Sequence, residues 1–493
     1  MGTTILQDLS YFLPEITLAV TILAVILAEI LTTKNKIIVP AISVLGLLVA
    51  MIFSLRLFGG PEHFIFSSMM IIDDYGLFFR IFFSIATILI IILSYNTFKR
   101  SGEYYVLLLG AVFGMYLMAS VTHIVMIVLS LEIVGIACYV LAGFRRYELR
   151  SGEASLKYML YGAVSTGVML YGFSFLYGMT GEVNIYAIRE VLPTMPSVEP
   201  LMLFISVLFI FAGLGYKIAM VPFHFWCPDV YEGSPTPVTT FFSVVPKVAG
   251  IALMGRFIFG GLAEQLSSGA EQWFPLGYID LPFLIAIISV VTMTLGNLAA
   301  LGQKNIKRML AYSSIAHAGY ILMGFTVFTG QGIKAILVYA IVYMFMNFGA
   351  FVIVDAIASR LKSEDISDYR GLGYRAPFLG AALTVFLLSL TGIPPTAGFI
   401  GKVMIFSAVI NAKLYWLAVI GVLNSVVSLY YYFRIPKAMF LEKTDGELPG
   451  LSFSGIHNFL VTILLIPTLW FGIFWSPLLS WTSFDINFLV TIP

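Results

Sequence analysis

The sequence predicts an all-α polytopic membrane protein of about fourteen transmembrane helices, with two inverted five-helix repeats and with helices 7 and 12 broken. Three observations carry this expectation. The 493 residues are 60% hydrophobic and 11% charged, whereas soluble domains run near a quarter charged; the mean hydropathy is +0.97. Apolar runs recur along the whole chain, each near the ~20 residues needed to cross hydrocarbon. Ionisable residues stand inside several of these runs, at matching offsets.

The runs fall at 12–32, 37–58, 75–98, 104–120, 122–144, 156–178, 200–222, 237–262, 281–301, 308–328, 334–359, 377–410, 414–440 and 457–477. They are continuous rather than alternating, which excludes a β-barrel. Nothing between them is long enough for a folded soluble domain. The first run has neither a basic leader nor a small-residue cleavage site, so it is expected as a retained helix.

Basic residues set the orientation, because cytoplasmic loops carry an excess of Lys and Arg. One set of loops holds 17 of the 27 basic residues, including Lys34, Lys36, Lys99, Arg100, Arg145, Arg146, Arg150, Lys304, Lys307, Arg308, Arg434, Lys437 and Lys443. The opposite set holds only Arg56, Arg189, Lys334 and Lys413. The chain is therefore expected to be multi-pass, with both termini on the non-cytoplasmic side. With Lys plus Arg 27 against Asp plus Glu 26, no charge excess points to nucleic acid. Two cysteines, Cys138 and Cys227, are too few for a disulfide scaffold or a cysteine-ligated iron–sulfur cluster. No metal motif or phosphate-binding loop appears.

Six basic residues remain inside helices: Arg80, Lys157, Lys217, Lys247, Arg256 and Lys402. Glu132 and His317 join them near the middles of the fifth and tenth runs. A charge at a helix centre costs roughly 2.5–3.5 kcal/mol on insertion scales. Arg80, Lys157 and Arg256 lie near segment ends and are expected to reach the interface. Glu132, Lys217, Lys247 and Lys402 are not so placed; they form either a functional relay or buried structural ion pairs.

Two runs are interrupted. The twelfth, 34 residues from Pro377 to Ile410, would span about 51 Å as a straight helix, and its middle reads Thr391-Gly392-Ile393-Pro394-Pro395-Thr396-Ala397-Gly398 ahead of Lys402. The seventh carries Gly213-Leu214-Gly215-Tyr216-Lys217, then Val221-Pro222-Phe223-His224-Phe225-Trp226 before Asp229. Interrupted backbone at membrane depth lines polar cavities, and paired broken helices mark transport sites; the structural alternative is an ordinary proline kink. Lys217 to Lys402 and Glu132 to His317 are both 185 residues apart. An odd number of helices separates each pair, so the second copy is inverted. The expected organisation is helices 1–3 at 1–103, first repeat at 104–262, second repeat at 281–440 and a C-terminal helix at 441–493.

These residues resemble the antiporter-like membrane subunits of respiratory complex I, the proton-translocating NADH–quinone oxidoreductase. The match runs through Leu131-Glu132, Tyr139 to Phe144, Glu153-Ala154-Ser155-Leu156-Lys157-Tyr158, the Gly-Asn-Leu-Ala-Ala-Leu run from Gly296, and Gly392 to Phe399 with Lys402. It is sharpest for the N-type subunit at Val221 to Trp226 with Pro228 to Val238. Related M and L subunits usually end the relay on a carboxylate, whereas residue 402 is lysine.

The resemblance implies roles. Glu132 would pair with Lys217, Lys247 would be the central relay lysine and Lys402 the lysine of the second half. His317, Lys157 and His224 would be secondary, with His224 mainly structural. Lysine in water has a pKa of about 10.4; burial disfavours an ammonium and a nearby carboxylate restores it, so a movable carboxylate–lysine pair can act as a proton switch. The implied function is proton translocation coupled to quinone reduction elsewhere in the complex. No cofactor is expected in this chain; NADH, flavin, iron–sulfur clusters and quinone belong to other subunits. The expected partners are other membrane-arm subunits, related antiporter-like subunits among them, and the lipid bilayer. The alternatives are a subunit of a multi-subunit cation/proton antiporter, a membrane-arm subunit fed by another electron donor, or a mainly structural scaffold.

Overall fold

The computed structural model describes residues 5–31, 37–98, 101–195, 199–265, 272–442, 451 and 453–484. Lys34, Lys36, Lys99, Arg100 and Lys443 of the orientation count lie outside the described residues. The helices are α1 (Ile5–Tyr11), α2 (Leu13–Leu31), α3 (Ile38–Leu57), α4 (Asp74–Phe98), α5 (Gly102–Ser120), α6 (Ile124–Ala142), α7 (Leu149–Thr180), α8 (Ile185–Val191), α9 (Pro200–Ile218) and α10 (Trp226–Gly233). They continue as α11 (Thr236–Gly261), α12 (Leu281–Leu301), α13 (Ile306–Phe325), α14 (Gly330–Leu361), α15 (Leu372–Arg375), α16 (Pro377–Thr391), α17 (Ala397–Asn411), α18 (Tyr415–Phe440), α19 (Gly455–Ile473) and α20 (Ser476–Trp481).

Twelve described helices are long and apolar enough to cross a membrane. The expected tenth run is α13, which has 20 residues; Lys307, Arg308, His317 and several serines lower its apolar content. The expected twelfth is the pair α16 and α17, 15 residues each. Sequence periodicity did not single out α1, α8 or two small antiparallel hairpins, His63–Ile65 with Met70–Ile72 and Ala263–Gln265 with Trp273–Pro275.

The chain divides into two compact units. The first comprises residues 1–218, 245–281 and 484–493, and the second 219–244 and 282–483. In the first, α2 packs on α3, α5 on α6 and α7 along α9. In the second, α14 packs against α16, α17 and α19, and α10 against α13. Local chemistry sets the helix ends. Asn305 caps α13 by accepting from the Lys307 and Arg308 amides, which satisfies donors that a helix start leaves open. Gly392, at φ +89°, closes α16 in the left-handed region that glycine enters without a side-chain penalty.

Candidate functional site

In the first unit, Lys217 lies in the last turn of α9 and Lys247 on α11, and both are buried. The helix ends one residue after Lys217, at Ile218: Ala219 is left-handed at φ +59°, and helix resumes only at Trp226. A methyl group at Gly250 would lie 3.2 Å from Lys217 Cγ. The stem of Lys217 therefore runs over Gly250, one turn along the same face of α11 from Lys247. Glu132 sits half-buried on α6 and accepts a 2.7 Å hydrogen bond from Thr166 Oγ1 of α7. Lys217 is in electrostatic range of Cys138 and Glu132, and no ion pair of 4 Å or less joins the lysine to the carboxylate. Tyr139, Tyr158 and Tyr216 cluster beside them, with ring centroids 5.0 and 5.8 Å apart, and the Tyr216 hydroxyl donates to the Tyr158 carbonyl at 2.7 Å.

In the second unit, Lys402 lies on α17, beyond the break. Its Nζ donates to the carbonyl of Thr391, the last residue of α16, at 2.7 Å and to Ser425 Oγ at 2.9 Å. The same ammonium stands 4.6 Å from the ring centroid of Tyr320, a cation–π placement. The Thr391 carbonyl is one of those a helix C-terminus leaves without an internal partner, so the lysine completes the break. A methyl at Gly392 would come within 2.7 Å of Lys402 Cδ; both the turn and the lysine stem require glycine there.

A polar chain extends from Lys402. Ser425 and Asn297 donate to the Tyr320 hydroxyl at 3.4 and 3.3 Å, and Tyr431 donates to Asn297 Oδ1 at 2.9 Å. Asn297 also donates to Asn424 Oδ1 at 3.2 Å. Tyr431 packs on Tyr432, centroids 4.4 Å apart. The buried His317 then bridges Tyr432 Oη at 3.2 Å and Tyr339 Oη at 2.7 Å, and Tyr432 is hydrogen-bonded to Ser313. The structure thus joins two predicted residues, Lys402 and His317, through side chains that sequence reasoning passed over. The signals were present: Tyr320 follows His317 by three residues, and Asn424-Ser425 is a polar pair inside an apolar run.

Two other predicted residues have clearer structural surroundings. His224 is buried at the break between α9 and α10, its ring 4.4 Å from that of Phe225. Lys157 pairs with Glu153 at 2.6 Å and is 37% exposed. The strongest motif forms a clamp: Arg308 of α13 holds Asp229 at 2.7 Å and Glu232 at 2.9 Å, and Lys307 holds Glu364 at 3.0 Å and the carbonyls of Glu232 and Ser234.

Arg80 and Arg256 do not reach the interface as expected. Arg80 is fully buried against an equally buried Glu15, 2.6 Å away, and donates to Ser120. Arg256 grips Asp73 through two bonds of 2.8 and 2.7 Å and donates to the Ala119 carbonyl. Carboxylates at the ends of other helices supply what the interface would have supplied. Glu15 and Asp73 went unread because nothing in their own neighbourhood of sequence announces an arginine 65 or 183 residues away. Among the described residues, no group of three or more His, Cys, Asp or Glu could hold a metal ion.

Comparison with known proteins gives the context. Residues 121–428 match the family described as NADH:quinone oxidoreductase/Mrp antiporter, transmembrane. NADH-quinone oxidoreductase subunit N 2 of Chloroherpeton thalassium is 45% identical over 480 residues, covering 95% of this chain and 93% of that protein. Subunit N of Chlorobium chlorochromatii is 43% identical, covering 98% and 96%. Among solved structures, a chain of respiratory complex I from Thermus thermophilus with bound aureothin is similar over 95% of this chain and 98% of that one, with 31% identity and a TM-score of 0.78. The chain belongs to the NADH:quinone oxidoreductase/Mrp antiporter transmembrane family and, within it, to the subunit N proteins of NADH-quinone oxidoreductase.

Proposed function

We propose that the chain is a proton-translocating membrane-arm subunit of a type I NADH–quinone oxidoreductase, with no redox site of its own. The observation that carries the relay is the environment of Lys402. A buried ammonium bonded to a broken-helix carbonyl and a hydroxyl, and continued by Tyr, Asn and His side chains, has neutral partners and, among the described residues, no carboxylate that fixes its charge; the Ser, Tyr and His groups among those partners can both accept and donate a proton. Glu132, Lys217 and Lys247 form the first half of the relay, and Lys402 the second. His317, as a relay partner, Lys157 and His224 are secondary.

Glu132 and Lys217 act as the switch. When they approach, the carboxylate holds the proton on the lysine; when they separate, the proton is free to move on. Redox chemistry in other subunits, which hold the NADH, flavin, iron–sulfur and quinone sites, biases that pair. The partners are the other membrane-arm subunits, related antiporter-like subunits among them. The chain sits in the plasma membrane with both termini on the non-cytoplasmic side, and residues 104–262 and 281–440 act as the inverted repeats.

The test is NADH-to-quinone electron flux together with proton uptake in membranes carrying Lys217→Ala, after assembly has been verified. Lost proton uptake in an assembled complex supports the relay; unchanged uptake removes Lys217 from it. The family description also names the Mrp antiporter. Sodium-dependent proton exchange by the chain's complex, with no response to NADH, would favour that second reading.

A further inference from the structure

We propose that a basic cavity beside α18 binds the phosphate-bearing headgroup of an anionic phospholipid, with the acyl chains lying along α18. The proposal does not depend on the proton relay. The cavity, about 510 Å³, is lined by Lys304, Arg370, Arg434 and Lys437 against Asp365 and Glu442, with Tyr430 at its side. Its volume lies in the range of small-molecule sites.

The charges are unevenly engaged. Arg370 holds Glu442 at 2.8 Å, so those two neutralise each other. Arg434 directs one nitrogen to the carbonyls of Leu301 and Gln303, at 2.8 and 3.3 Å, and keeps its other edge. The ammonium groups of Lys304 and Lys437 make no hydrogen bond or ion pair among the described residues. Three cationic groups thus border the cavity against one uncommitted carboxylate, Asp365. Taking these cations out of repulsion calls for an anion, and a phosphodiester offers several acceptor oxygens to them at once.

The walls are preformed by backbone pairing. Ile366 donates to the Lys304 carbonyl at 2.9 Å, Ile306 to Glu364 at 2.9 Å and Gly371 to Ala438 at 3.1 Å. The cationic groups are therefore carried on ordered backbone rather than on a free loop tail.

The source of the anion follows from what adjoins the cavity. Val419, Val422, Leu423, Val426, Tyr430 and Phe433 of α18 are each about half exposed or more. Their spacing of three and four residues makes one stripe, and Tyr430 belongs both to the stripe and to the cavity wall. The stripe runs about 21 Å, more than the ~15 Å of hydrocarbon in one leaflet. A soluble anion would leave this apolar track unused; a phospholipid occupies both parts. The cavity also lies on the face with the Lys/Arg-rich loops, the face that meets an anionic leaflet.

The test uses the whole complex in nanodiscs of phosphatidylcholine, titrated with phosphatidylglycerol and read by native mass spectrometry. The wild type is compared with a Lys304→Gln/Lys437→Gln double variant and with the Lys304→Arg/Lys437→Arg pair. Among the described residues neither lysine side chain holds another residue, so the variants are expected to assemble. The wild type and the arginine pair should retain phosphatidylglycerol, and the glutamine pair should bind it roughly 25-fold more weakly, about fivefold per charge removed. Equal retention by the glutamine pair would overturn the proposal. So would displacement of the lipid by millimolar inorganic phosphate, which would make this a small-anion site, or a photocrosslinker at position 430 that captured a protein subunit in place of lipid.

Discussion

Lys217 and Lys402 stand on opposite sides of their breaks. Lys217 belongs to the last turn of α9 and precedes its break, while Lys402 is the sixth residue of α17 and follows its own. Each lies close in sequence to a helix C-terminus, where carbonyls lack internal partners and carry the negative end of the helix dipole, and the Lys402 ammonium bonds to one of them. Lys217 is part of that terminus; Lys402 reaches back 11 residues to the Thr391 carbonyl. A buried cation can therefore be tolerated without a carboxylate in contact when a broken helix supplies the acceptor. The buried arginines solve the same problem differently: Arg80 and Arg256 are closed onto Glu15 and Asp73. A closed pair is suited to holding a structure, and an ammonium on neutral acceptors is suited to exchanging its proton.

The contrast predicts different consequences for removing each kind of cation. Arg256→Met leaves Asp73 buried without its bidentate partner, which costs about 3–5 kcal/mol. The yield of assembled complex should collapse, and restoring it with Asp73→Leu in the same chain would identify the pair as structural. Gly392→Ala should be milder, at about 1–2 kcal/mol for a non-glycine left-handed residue. Because its methyl would also displace the Lys402 stem, proton uptake should fall more than thermal stability does; equal losses would argue against a positioning role.

Much of this was legible in the sequence. Length and apolarity mark where each helix runs, and doubled prolines with glycines mark the break around Gly392, because both signals are local. The partners are not local. Ser425 is 23 residues from Lys402, Tyr432 is 115 from His317 and Asp73 is 183 from Arg256, and only packing decides which side chains meet across such intervals. Hydropathy also misdirected the reading of Arg80 and Arg256, since position near a segment end suggests an interface but does not reveal a carboxylate on a neighbouring helix. The Pro228–Val238 motif was conspicuous as sequence, yet the charged part of it serves to tie α10 to α13 through Arg308.

Two smaller effects sharpen the comparison. Ser425→Ala removes one of the two hydrogen bonds of Lys402 and should cost about 1 kcal/mol, seen as a several-fold slower proton uptake with assembly retained. No change would mean that Tyr320 and Thr391 suffice. The other effect is a pH dependence at Glu62, in the loop after α3, whose pKa is raised to about 7 by burial and by the charge of Asp73, with Asp74 adding to it and Arg256 opposing. Its folded-state pKa lies above the unfolded value, so its contribution to stability is full below pH ~4.5 and is lost as pH rises through about 7. Thermal unfolding of the Glu62→Gln complex should show a flatter pH dependence across that window; an unaltered slope would assign the titration to another group.

The most direct measurement is the number of protons translocated per electron in assembled complex carrying Lys402→Ala, with Lys402→Arg beside it. A proton relay through Lys402 predicts that the alanine variant assembles and loses most of its proton uptake, and that arginine, which cannot deprotonate, does not restore it. Full uptake in the alanine variant, or rescue by arginine, would contradict the account and make Lys402 a fixed charge that holds the break between α16 and α17.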